Sequence, residues 1–562
     1  MVQCYQQTNQ HDDVSTSLLL RGYIREITSD YLTLDLTYPQ RSQSLFSPTA
    51  TYIIERDSTD IPMRHAMRGV YAFLGAPQQR QALLLGQRTP DYDDTQTLLG
   101  EYPERIADII LRAKCARDYF LLVGPPGTGK TNVALRSMVH EFLLSYTAGQ
   151  TTGALLLMAY THRAVDEICA MLHDLLAESH PGTAYLRIGA HDDTDAPWAE
   201  YTLDALTKRC PNRASMRQAL ASIPIFVGTI TTLSGRMDLF ALRRFSCAII
   251  DEASQVLEPQ LLGLLSAVAH PSLVDSLTPQ VAIPKFILIG DHKQLPAVVQ
   301  QTSQCAQTTS TDLHDIDLRR MDCSLFERLH RLLLRNSCTQ CLGYLDVQGR
   351  MHPEICDLVN ADYYGARLRP VPLAHQVGDL VFSRPPVDEI QRALTSHRLL
   401  AINVVPEQMP LTEKANSAEA AVIADIVSAY LYLMQGTDAD PLHLVRRIGI
   451  IVPFRAQIAA VRHALRRVAV PHADAITIDT VECYQGSQRD LIIFGTTIHS
   501  PHAVSLLSQP VVVDGTLVDR KLNVAITRAR QQFVLVGNRQ VLANSPIYRK
   551  LWERMERNEE II

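Results

Sequence analysis

The sequence predicts an α/β protein with two doubly wound parallel sheets, preceded by a small β-rich module. Ten short apolar runs, separated by helical stretches, carry most of this prediction. The first series comprises residues 119–123, 154–159, 225–229, 247–250 and 286–290, and the second comprises 399–405, 448–452, 475–478, 491–494 and 533–536. Uninterrupted Leu, Ile and Val runs of this length are typical of parallel strands buried on both faces. Their alternation with helices indicates doubly wound sheets.

The segment before the first series has a different pattern. Residues 32–36 alternate leucine with threonine and aspartate, which is the period-2 pattern of a half-buried strand. Thr28, Ser29 and Asp30 are suited to a hairpin turn before it. We therefore predict a β-rich accessory module with a helical connector at residues 1–95, a first α/β domain at 96–340 and a second at 341–562.

Composition excludes some classes of function. The 562 residues include 53 Lys and Arg against 59 Asp and Glu, a net charge of −6, which disfavours a purely electrostatic nucleic-acid binder but allows a local basic groove. The sequence contains no run of 18 apolar residues, so we expect no membrane span. Its first residues lack the pattern of a secretion signal. Eleven scattered cysteines suit a reducing, cytoplasmic location. We interpret Cys338 and Cys341 as two buried thiols in preference to half of a zinc site.

A complete P-loop follows the first apolar run. Its residues are Gly124, Pro125, Pro126, Gly127, Thr128, Gly129, Lys130 and Thr131, and it lies between a predicted strand and a predicted helix, the context that supports the motif. Glycines let backbone N–H groups surround phosphates, and the helix N-terminus adds its dipole. We expect Lys130 to reach the β- and γ-phosphates of a nucleoside triphosphate and the Thr131 hydroxyl to bind Mg²⁺.

Polar clusters also follow two later strands of the same series. Because ligands bind at the carboxyl ends of strands in open α/β sheets, these clusters are candidate site residues. Asp251 is placed to hold Mg²⁺, and Glu252 to orient or deprotonate the attacking water. Gln294, in the stretch GDHKQ, is placed to sense the γ-phosphate.

Six motifs, in this order, resemble those of the superfamily 1 helicases: GPPGTGKT, DEASQ, GDHKQLP, QGRMHP, YQGSQRD and LNVAITRAR. Their wording is similar to the branch that contains the nonsense-mediated-decay helicase and the replication nuclease-helicases, over roughly residues 95–545. The resemblance implies two RecA-like P-loop NTPase domains, ATP and Mg²⁺ as cofactors, and a helicase module without the nuclease domain that works as a monomer.

The resemblance also assigns residues outside the P-loop. Arg350 and Arg528 match the two arginines that the second domain presents to the γ-phosphate, and Gly486 and Gln488 lie in the motif that contacts the ribose. Residues that match strand-contacting motifs are Thr161, His162, Arg163, Thr229, Thr231, Pro453, Arg455 and Thr480. Such contacts go to the backbone, so no sequence specificity is expected. The alternative interpretation of each hydroxyl is a helix cap.

Three positions depart from the family pattern. The usual tyrosine before the motif arginine is Gly349, and the motif glutamate is Gln488, which carries no charge. Glu104 stands near the place of the glutamine that normally clamps adenine. Adenine recognition is therefore less well supported than phosphate binding.

We expect an ATP-dependent helicase or translocase on single-stranded or tailed nucleic acid. The resemblance implies 5′-to-3′ movement and favours DNA, which would place the protein at the nucleoid, although RNA is the substrate in the sister branch. Two other classes stay open: an ATP-switched clamp that binds nucleic acid without unwinding it, and a P-loop ATPase that acts on proteins. Strand displacement and nucleic-acid-stimulated hydrolysis distinguish the three. No protein partner is predicted.

Overall fold

The computed structural model describes residues 2–7, 18–27, 31–36, 51–56, 61–189, 197–270, 279–299, 301, 304–406, 412–436 and 440–556. The chain divides into two compact units, residues 1–64 and 65–562. The larger unit contains both of the predicted parallel sheets.

The smaller unit is a four-stranded antiparallel sheet. Its strands are β1 (Val2–Gln7), β2 (Leu18–Ile27), β3 (Leu32–Leu36) and β4 (Thr51–Arg56), in the order β3-β2-β1-β4. The predicted pairing of β2 with β3 is present, with Gly22 opposite Leu36, whereas the predicted turn at residues 28–30 lies outside the described residues. The β-rich module is thus confirmed.

The first sheet of the larger unit has seven parallel strands in the order β11-β5-β10-β9-β6-β8-β7. They are β5 (Tyr119–Val123), β6 (Ala154–Ala159), β7 (Tyr185–Ile188), β8 (Ile225–Thr229), β9 (Phe245–Ile250), β10 (Lys285–Gly290) and β11 (Leu342–Tyr344). All five apolar runs of the first series are strands, and the two strands not predicted, β7 and β11, are the edge strands. The domain boundaries at residues 95 and 340 stay predictions.

Helices cover both faces of the first sheet. They are α1 (Ile61–Leu74), α2 (Gln78–Leu85), α3 (Glu104–Cys115), α4 (Arg136–Thr147), α5 (His162–Ser179), α6 (Leu203–Arg209), α7 (Arg213–Ser222), α8 (Ile230–Ser234), α9 (Leu239–Leu242), α10 (Glu258–Leu265), α11 (Thr311–Asp315) and α12 (Leu325–Arg335). Arg328 of α12, fully buried, donates through Nε to Glu258 Oε2 of α10 at 2.8 Å. A buried pair of this kind fixes the two helices together, because either charge alone would be left unpaired.

The second sheet has five parallel strands in the order β14-β20-β17-β15-β16. Its strands are β14 (Leu399–Asn403), β15 (Ile448–Ile451), β16 (Thr477–Asp479), β17 (Arg489–Gly495) and β20 (Ala529–Gly537). A short parallel pair, β12 (Val347–Gln348) and β13 (Arg369–Pro370), precedes this sheet in the chain. A hairpin of β18 (Val511–Val513) and β19 (Thr516–Val518) lies between β17 and β20 in the chain. Each run of the second series overlaps a strand, although the run at 475–478 does so only at residues 477 and 478. The predicted pair of parallel α/β domains, RecA-like with a P-loop in the first, is therefore confirmed.

Alternate residues of the second sheet enter two separate cores. Ile450, Ile493 and Val534 pack with one set of helices, whereas Ile492 and Phe533 pack with the other, as expected when successive side chains point to opposite faces. The helices are α13 (Pro353–Tyr364), α14 (Ala374–Val377), α15 (Glu389–Ser396), α16 (Ser417–Met434), α17 (Pro441–Arg446), α18 (Arg455–Arg467), α19 (Val504–Leu507), α20 (Arg520–Ile526), α21 (Arg539–Leu542) and α22 (Pro546–Glu556).

One described helix, α16, is long and apolar enough to cross a membrane when judged by length and composition alone. It contributes Ile423 and Val427 to the core on one face of the second sheet, and 56% of its apolar window is buried inside the protein. That burial is what a core helix requires. The two buried thiols predicted at Cys338 and Cys341 are also present.

Candidate functional site

The P-loop connects β5 to a π-helical turn at residues 130–135 that continues into α4. Gly127 and Gly129 have φ values of +75° and +78°, which glycine adopts without strain. Gly124 N donates to Gly290 O at 2.9 Å, which joins the loop to the end of β10. Lys130 Nζ donates to Gly124 O at 2.9 Å, so the ammonium lies over the concave side of the loop, where phosphates bind in such motifs.

Asp251 lies at the end of β9 and is 3% exposed. Its Oδ2 accepts a hydrogen bond from Thr131 Oγ1 at 2.8 Å. Burial, and next the neighbouring Glu252, raise the pKa of Asp251 to about 6, and Lys130 opposes them. A buried carboxylate beside a hydroxyl, with more negative than positive charge around it, fits a hard divalent cation such as Mg²⁺.

Glu252 follows at a strained position, with a φ of +54°. One of its oxygens, Oε2, accepts from Gln255 Nε2 at 2.9 Å, and the other lies 3.9 Å from Lys130 Nζ. Its side chain is partly exposed to the cleft between the two sheets. The carboxylate is thus oriented by a neighbouring amide and open to a water molecule, as a general base needs.

Gln294 joins the two sheets. Its Nε2 donates to Asp291 Oδ2 at 2.9 Å, and its Oε1 accepts from Arg528 Nη2 at 3.2 Å. Arg528 is 2% exposed, and burial, with Arg350 as the next cause, lowers its pKa to about 9. The guanidinium therefore stays charged at neutral pH but lacks solvation, which an anionic ligand would compensate.

Arg350 packs directly on the P-loop. Gly349 N donates to Gly127 O at 2.9 Å, and a Cβ added to Gly127 would lie 2.5 Å from Arg350 Cβ. Arg350 Nε donates to Gln488 Oε1 at 2.9 Å and Nη1 donates to Thr527 O at 3.3 Å, and burial lowers the pKa of Arg350 to about 10. The predicted ribose contact at Gln488 is therefore engaged with Arg350 in this arrangement, next to Gly486, whose φ is +79°.

A cavity of about 520 Å³ runs from this site between the sheets. Its lining includes Thr131, Asp251 and Glu252 together with Thr161 and Arg163, and Gly486 and Lys521 of the second domain. The cavity connects the predicted phosphate-binding residues to two of the predicted strand-contacting residues.

The strand-contacting candidates of the first sheet follow β6 and β8. Thr161, His162 and Arg163 are exposed at the start of α5, where Thr161 Oγ1 also accepts from Ala164 N at 3.2 Å as a cap. Thr229 is buried, and its hydroxyl caps α8 and donates to Thr232 Oγ1 at 2.8 Å. The cap interpretation thus describes Thr229 in this arrangement, whereas Thr161 caps and remains accessible.

The candidates of the second sheet lie at the carboxyl ends of β15 and β16. Arg455 is exposed as the first residue of α18, and Pro453, like Thr231 of the first sheet, is half-buried. Thr480 is half-buried, and its backbone N–H donates to Asp479 Oδ1 at 2.7 Å. A helix N-terminus with an exposed arginine suits a nucleic-acid phosphate.

Three residues of the site, Glu167, Tyr364 and Asn523, were not predicted from the sequence. Glu167 of α5 lies in the cavity, with Oε1 3.5 Å from Arg163 Nε, and burial raises its pKa, as Glu252 does to a lesser degree. Tyr364 donates to Asp291 Oδ2 at 2.9 Å and accepts from Asn523 Nδ2 at 2.8 Å. Asn523 stands inside LNVAITRAR, a signal that was available, whereas Glu167 and Tyr364 lie outside the six motifs.

Two family models, each described as an AAA domain, match successive parts of the chain. One matches residues 104–224 and 211–302, and the other matches residues 321–540. The first region contains the P-loop and the Asp251–Glu252 pair, and the second contains Arg350 and Arg528.

Curated relatives agree with these models. The chain is 28% identical over 465 residues to the DNA replication ATP-dependent helicase/nuclease JHS1 of Arabidopsis thaliana, covering 81% of this chain and 30% of the relative. It is 24% identical over 587 residues to the helicase/nuclease DNA2 of Bos taurus, which covers 97% of this chain and 48% of the relative. It is 26% identical over 311 residues to the helicase sen1 of Schizosaccharomyces pombe, which covers 55% of this chain and 15% of the relative. The chain thus spans less than half the length of each of these relatives.

Proposed function

Because this chain is a superfamily 1 helicase of the branch that includes the replication nuclease-helicases and the helicase sen1, we propose that it hydrolyses ATP between its two sheets to move along one nucleic-acid strand. The observation that carries the proposal is the meeting of the two sheets at the P-loop. Gly127 contacts Arg350, and Gln294 binds Arg528. A triphosphate in the P-loop would therefore lie within the reach of two arginines from the second sheet.

Each residue of the site has one role in the proposed reaction. Backbone N–H groups of the P-loop and Lys130 bind the β- and γ-phosphates, and Glu252 accepts a proton from the attacking water. Arg350 and Arg528 stabilise the charge that develops on the γ-phosphoryl oxygens. Gln294 is hydrogen-bonded to both Asp291 and Arg528. It therefore couples movement of the first domain to movement of the second.

Thr131 and Asp251 would hold Mg²⁺, because their oxygens lie 2.8 Å apart and because burial and the neighbouring Glu252 raise the pKa of Asp251, an effect that a bound cation would oppose. When bound, the ion neutralises phosphate charge and orients the oxygens that it contacts. The residues of this chain fit it.

DNA is the proposed strand, with movement in the 5′-to-3′ direction by a monomer. The relatives from Arabidopsis thaliana and Bos taurus are named as DNA replication enzymes, which supports DNA, and the polarity follows from the motif resemblance alone. Exposed Thr161, Arg163 and Arg455 are suited to backbone phosphates. RNA is the alternative, which the relationship to the helicase sen1 keeps open.

Strand displacement on tailed duplexes tests the proposal. We expect ATP-dependent unwinding of a duplex with a 5′ single-stranded DNA tail, and none of its 3′-tailed or blunt equivalents. Preferential unwinding of a 3′-tailed duplex would overturn the polarity, and unwinding only from RNA tails would overturn the DNA assignment.

An ATP-switched clamp is the second candidate, favoured by the engagement of the uncharged Gln488 with Arg350. A clamp would bind tailed DNA more tightly with a non-hydrolysable ATP analogue yet displace no strand from any substrate. That pair of results would replace the helicase proposal.

A further inference from the structure

Three side chains that the proposed reaction does not use meet where the two sheets contact each other. His292 belongs to the GDHKQ loop (residues 290–294), His330 lies on α12, and Asp514 lies in the turn between β18 and β19. Each can offer one ligand atom, and these atoms lie within 4.8 Å of one another. The two imidazole rings are 4.5 Å apart between centroids.

Both histidines are deeply buried, His292 at 4% and His330 at 1% exposure. Among the described residues, neither Nδ1 atom has a hydrogen-bond partner, although an unpaired polar atom in a buried position costs free energy. Their Nε2 atoms are engaged: that of His292 lies 2.7 Å from Asp514 Oδ2, and that of His330 lies 2.9 Å from Tyr344 OH. The cluster therefore holds more ligand atoms than its own hydrogen bonds use.

The carboxylate of Asp514 already attracts positive charge. Lys293 Nζ lies 3.4 Å from the same oxygen that contacts His292. The lysine side chain is 17% exposed, and its long aliphatic stem would let the ammonium turn to solvent when a metal ion takes its place beside Asp514. The exchange of one cation for another keeps the charge of the site balanced.

We propose that His292, His330 and Asp514 bind one Zn²⁺ ion, or a metal ion of similar preference. Two imidazoles and one carboxylate are a ligand set typical of Zn²⁺, and a water molecule can complete the tetrahedron. The ligand atoms of a tetrahedral zinc site lie about 3.3 Å apart, as follows from Zn–N bonds of about 2.0 Å. In this structure the three atoms lie within 4.8 Å of one another, so both imidazoles and the exposed Asp514 carboxylate would move closer together when an ion binds.

A metal ion in this position would join the GDHKQ loop of the first sheet to the β18–β19 hairpin of the second. Gln294, which bonds Arg528, is only two residues from His292. The bound ion would therefore hold the closed arrangement of the site and slow its reopening after hydrolysis. This regulatory consequence, unlike the metal site, rests on the proposed function.

Zinc binding to the purified full chain tests the site directly. After treatment with EDTA and desalting, the protein is titrated with ZnCl₂, and in parallel with CoCl₂, whose visible absorption reports tetrahedral coordination. We expect the wild type to bind one more Zn²⁺ per chain than Asp514→Asn and His330→Gln, each weakened at least about tenfold.

His140→Gln is the matched control. It alters another histidine pair, in which His140 Nδ1 lies 2.9 Å from His180 Nε2, and we expect it to bind zinc as the wild type does. Because Asp514 lies on an exposed turn, its variant tests the site even if His330→Gln fails to fold. Equal zinc stoichiometry and affinity in the wild type and Asp514→Asn would overturn the assignment, whatever thiols such as Cys483 contribute to both.

ATP turnover with saturating Zn²⁺ tests the consequence. We expect turnover of the wild type to fall at least about fivefold, and that of Asp514→Asn to fall less than about twofold, a difference near 0.5 kcal/mol or more in the barrier. Zinc bound as expected with no difference in turnover would overturn the regulatory role alone. If the wild type binds the ion but hydrolyses no ATP, the proposed function fails while the site stands.

Discussion

At the residue scale, the site concentrates charges that burial penalises. Burial lowers the pKa of Arg528 to about 9 and raises the pKa of Asp251 to about 6. Each group is therefore stabilised when an opposite charge arrives, a triphosphate for the arginine and a cation for the carboxylate. Perturbed groups that face one another across a cleft are typical of catalytic sites.

Arg528→Ala should abolish most of the ATP turnover. Because the guanidinium is buried and bonded to Gln294, we expect kcat to fall about 10³-fold or more, as for arginines that stabilise phosphoryl transfer. Steady-state hydrolysis measures it. The control is Arg539→Ala in the same domain, an exposed arginine paired with Glu556 at 2.7 Å, which should keep full turnover. Equal turnover in both variants would contradict the assignment of Arg528.

Glu167→Gln should tighten strand binding. The carboxylate holds Arg163 at 3.5 Å, and a surface pair of this kind contributes about 0.2–1 kcal/mol. Release of Arg163 for phosphate should lower the apparent dissociation constant for single-stranded DNA by about two- to fivefold, measured by fluorescence anisotropy at fixed salt.

Glu178→Gln on the same helix is the control for Glu167. It removes a pair with Arg136, which is not among the strand-contacting candidates, and should leave DNA affinity unchanged. Weaker binding by Glu167→Gln would show that the carboxylate supports Arg163 rather than competing for it.

The sequence predicted residue roles wherever a motif encloses the residue. Lys130, Asp251 and Glu252 lie together because two strands of one sheet, β5 and β9, end there, as the strand pattern implies. The sequence alone did not indicate that Gln488 would accept a hydrogen bond from Arg350 or that Thr229 would be a buried helix cap. Those outcomes depend on packing between elements that are distant in sequence.

At the element scale, the P-loop is shaped by glycines for two separate reasons. Gly127 has a φ of +75°, and an added Cβ would also clash with Arg350, whereas Gly149 has a φ of +71° with nothing within 4 Å. A substitution at Gly149 would therefore test backbone strain alone, whereas one at Gly127 would test backbone strain together with contact across the cleft.

Gly127→Ala should therefore lower ATP turnover, and Gly149→Ala should not. Both variants should lose about 1 kcal/mol of unfolding free energy through the strained backbone, but only the first displaces Arg350. Denaturant unfolding and steady-state hydrolysis measure the two effects. Normal turnover in Gly127→Ala would contradict the close contact of the two sheets during hydrolysis.

The start of α16 carries a buried carboxyl group. Glu419 accepts a hydrogen bond from Thr497 N at 2.7 Å, and burial raises its pKa from 4.5 to about 8. Between these values the folded state retains a proton that the unfolded chain has lost. The contribution of Glu419 to the free energy of unfolding therefore falls as pH rises from about 4.5 to about 8.

Glu419→Gln should remove this dependence on pH. We expect the variant to melt a few degrees above the wild type at pH 8, with a smaller difference at pH 5, since the neutral amide does not ionise. Glu389→Gln, at an exposed position on α15, is the control and should track the wild type. A larger gain at pH 5 than at pH 8 would contradict a protonated Glu419.

Each of the ten apolar runs overlaps a strand, because runs rich in Leu, Ile and Val favour the interior of a parallel sheet. The edge strands β7 and β11 escaped prediction because neither is an uninterrupted apolar run: Arg187 interrupts β7, and Gly343 interrupts β11. For helix α16, length and composition alone do not distinguish a buried core helix from a membrane-spanning helix.

At the scale of the whole molecule, residues that follow strands of both sheets line one cavity. Alternation of strand and helix predicted the two domains. The connections between them were not predictable, since Tyr364 on α13 reaches Asp291 after β10 through packing that no local pattern encodes.

Nucleic-acid stimulation of ATP hydrolysis distinguishes a strand-driven motor from an uncoupled ATPase. Steady-state turnover is measured without polymer, with single-stranded DNA and with single-stranded RNA, for the wild type and for Glu252→Gln. We expect DNA to stimulate turnover of the wild type about tenfold or more, equivalent to about 1.4 kcal/mol of the barrier, and the variant to lose its turnover. Equal turnover in all three conditions would contradict a motor driven by contact with a strand.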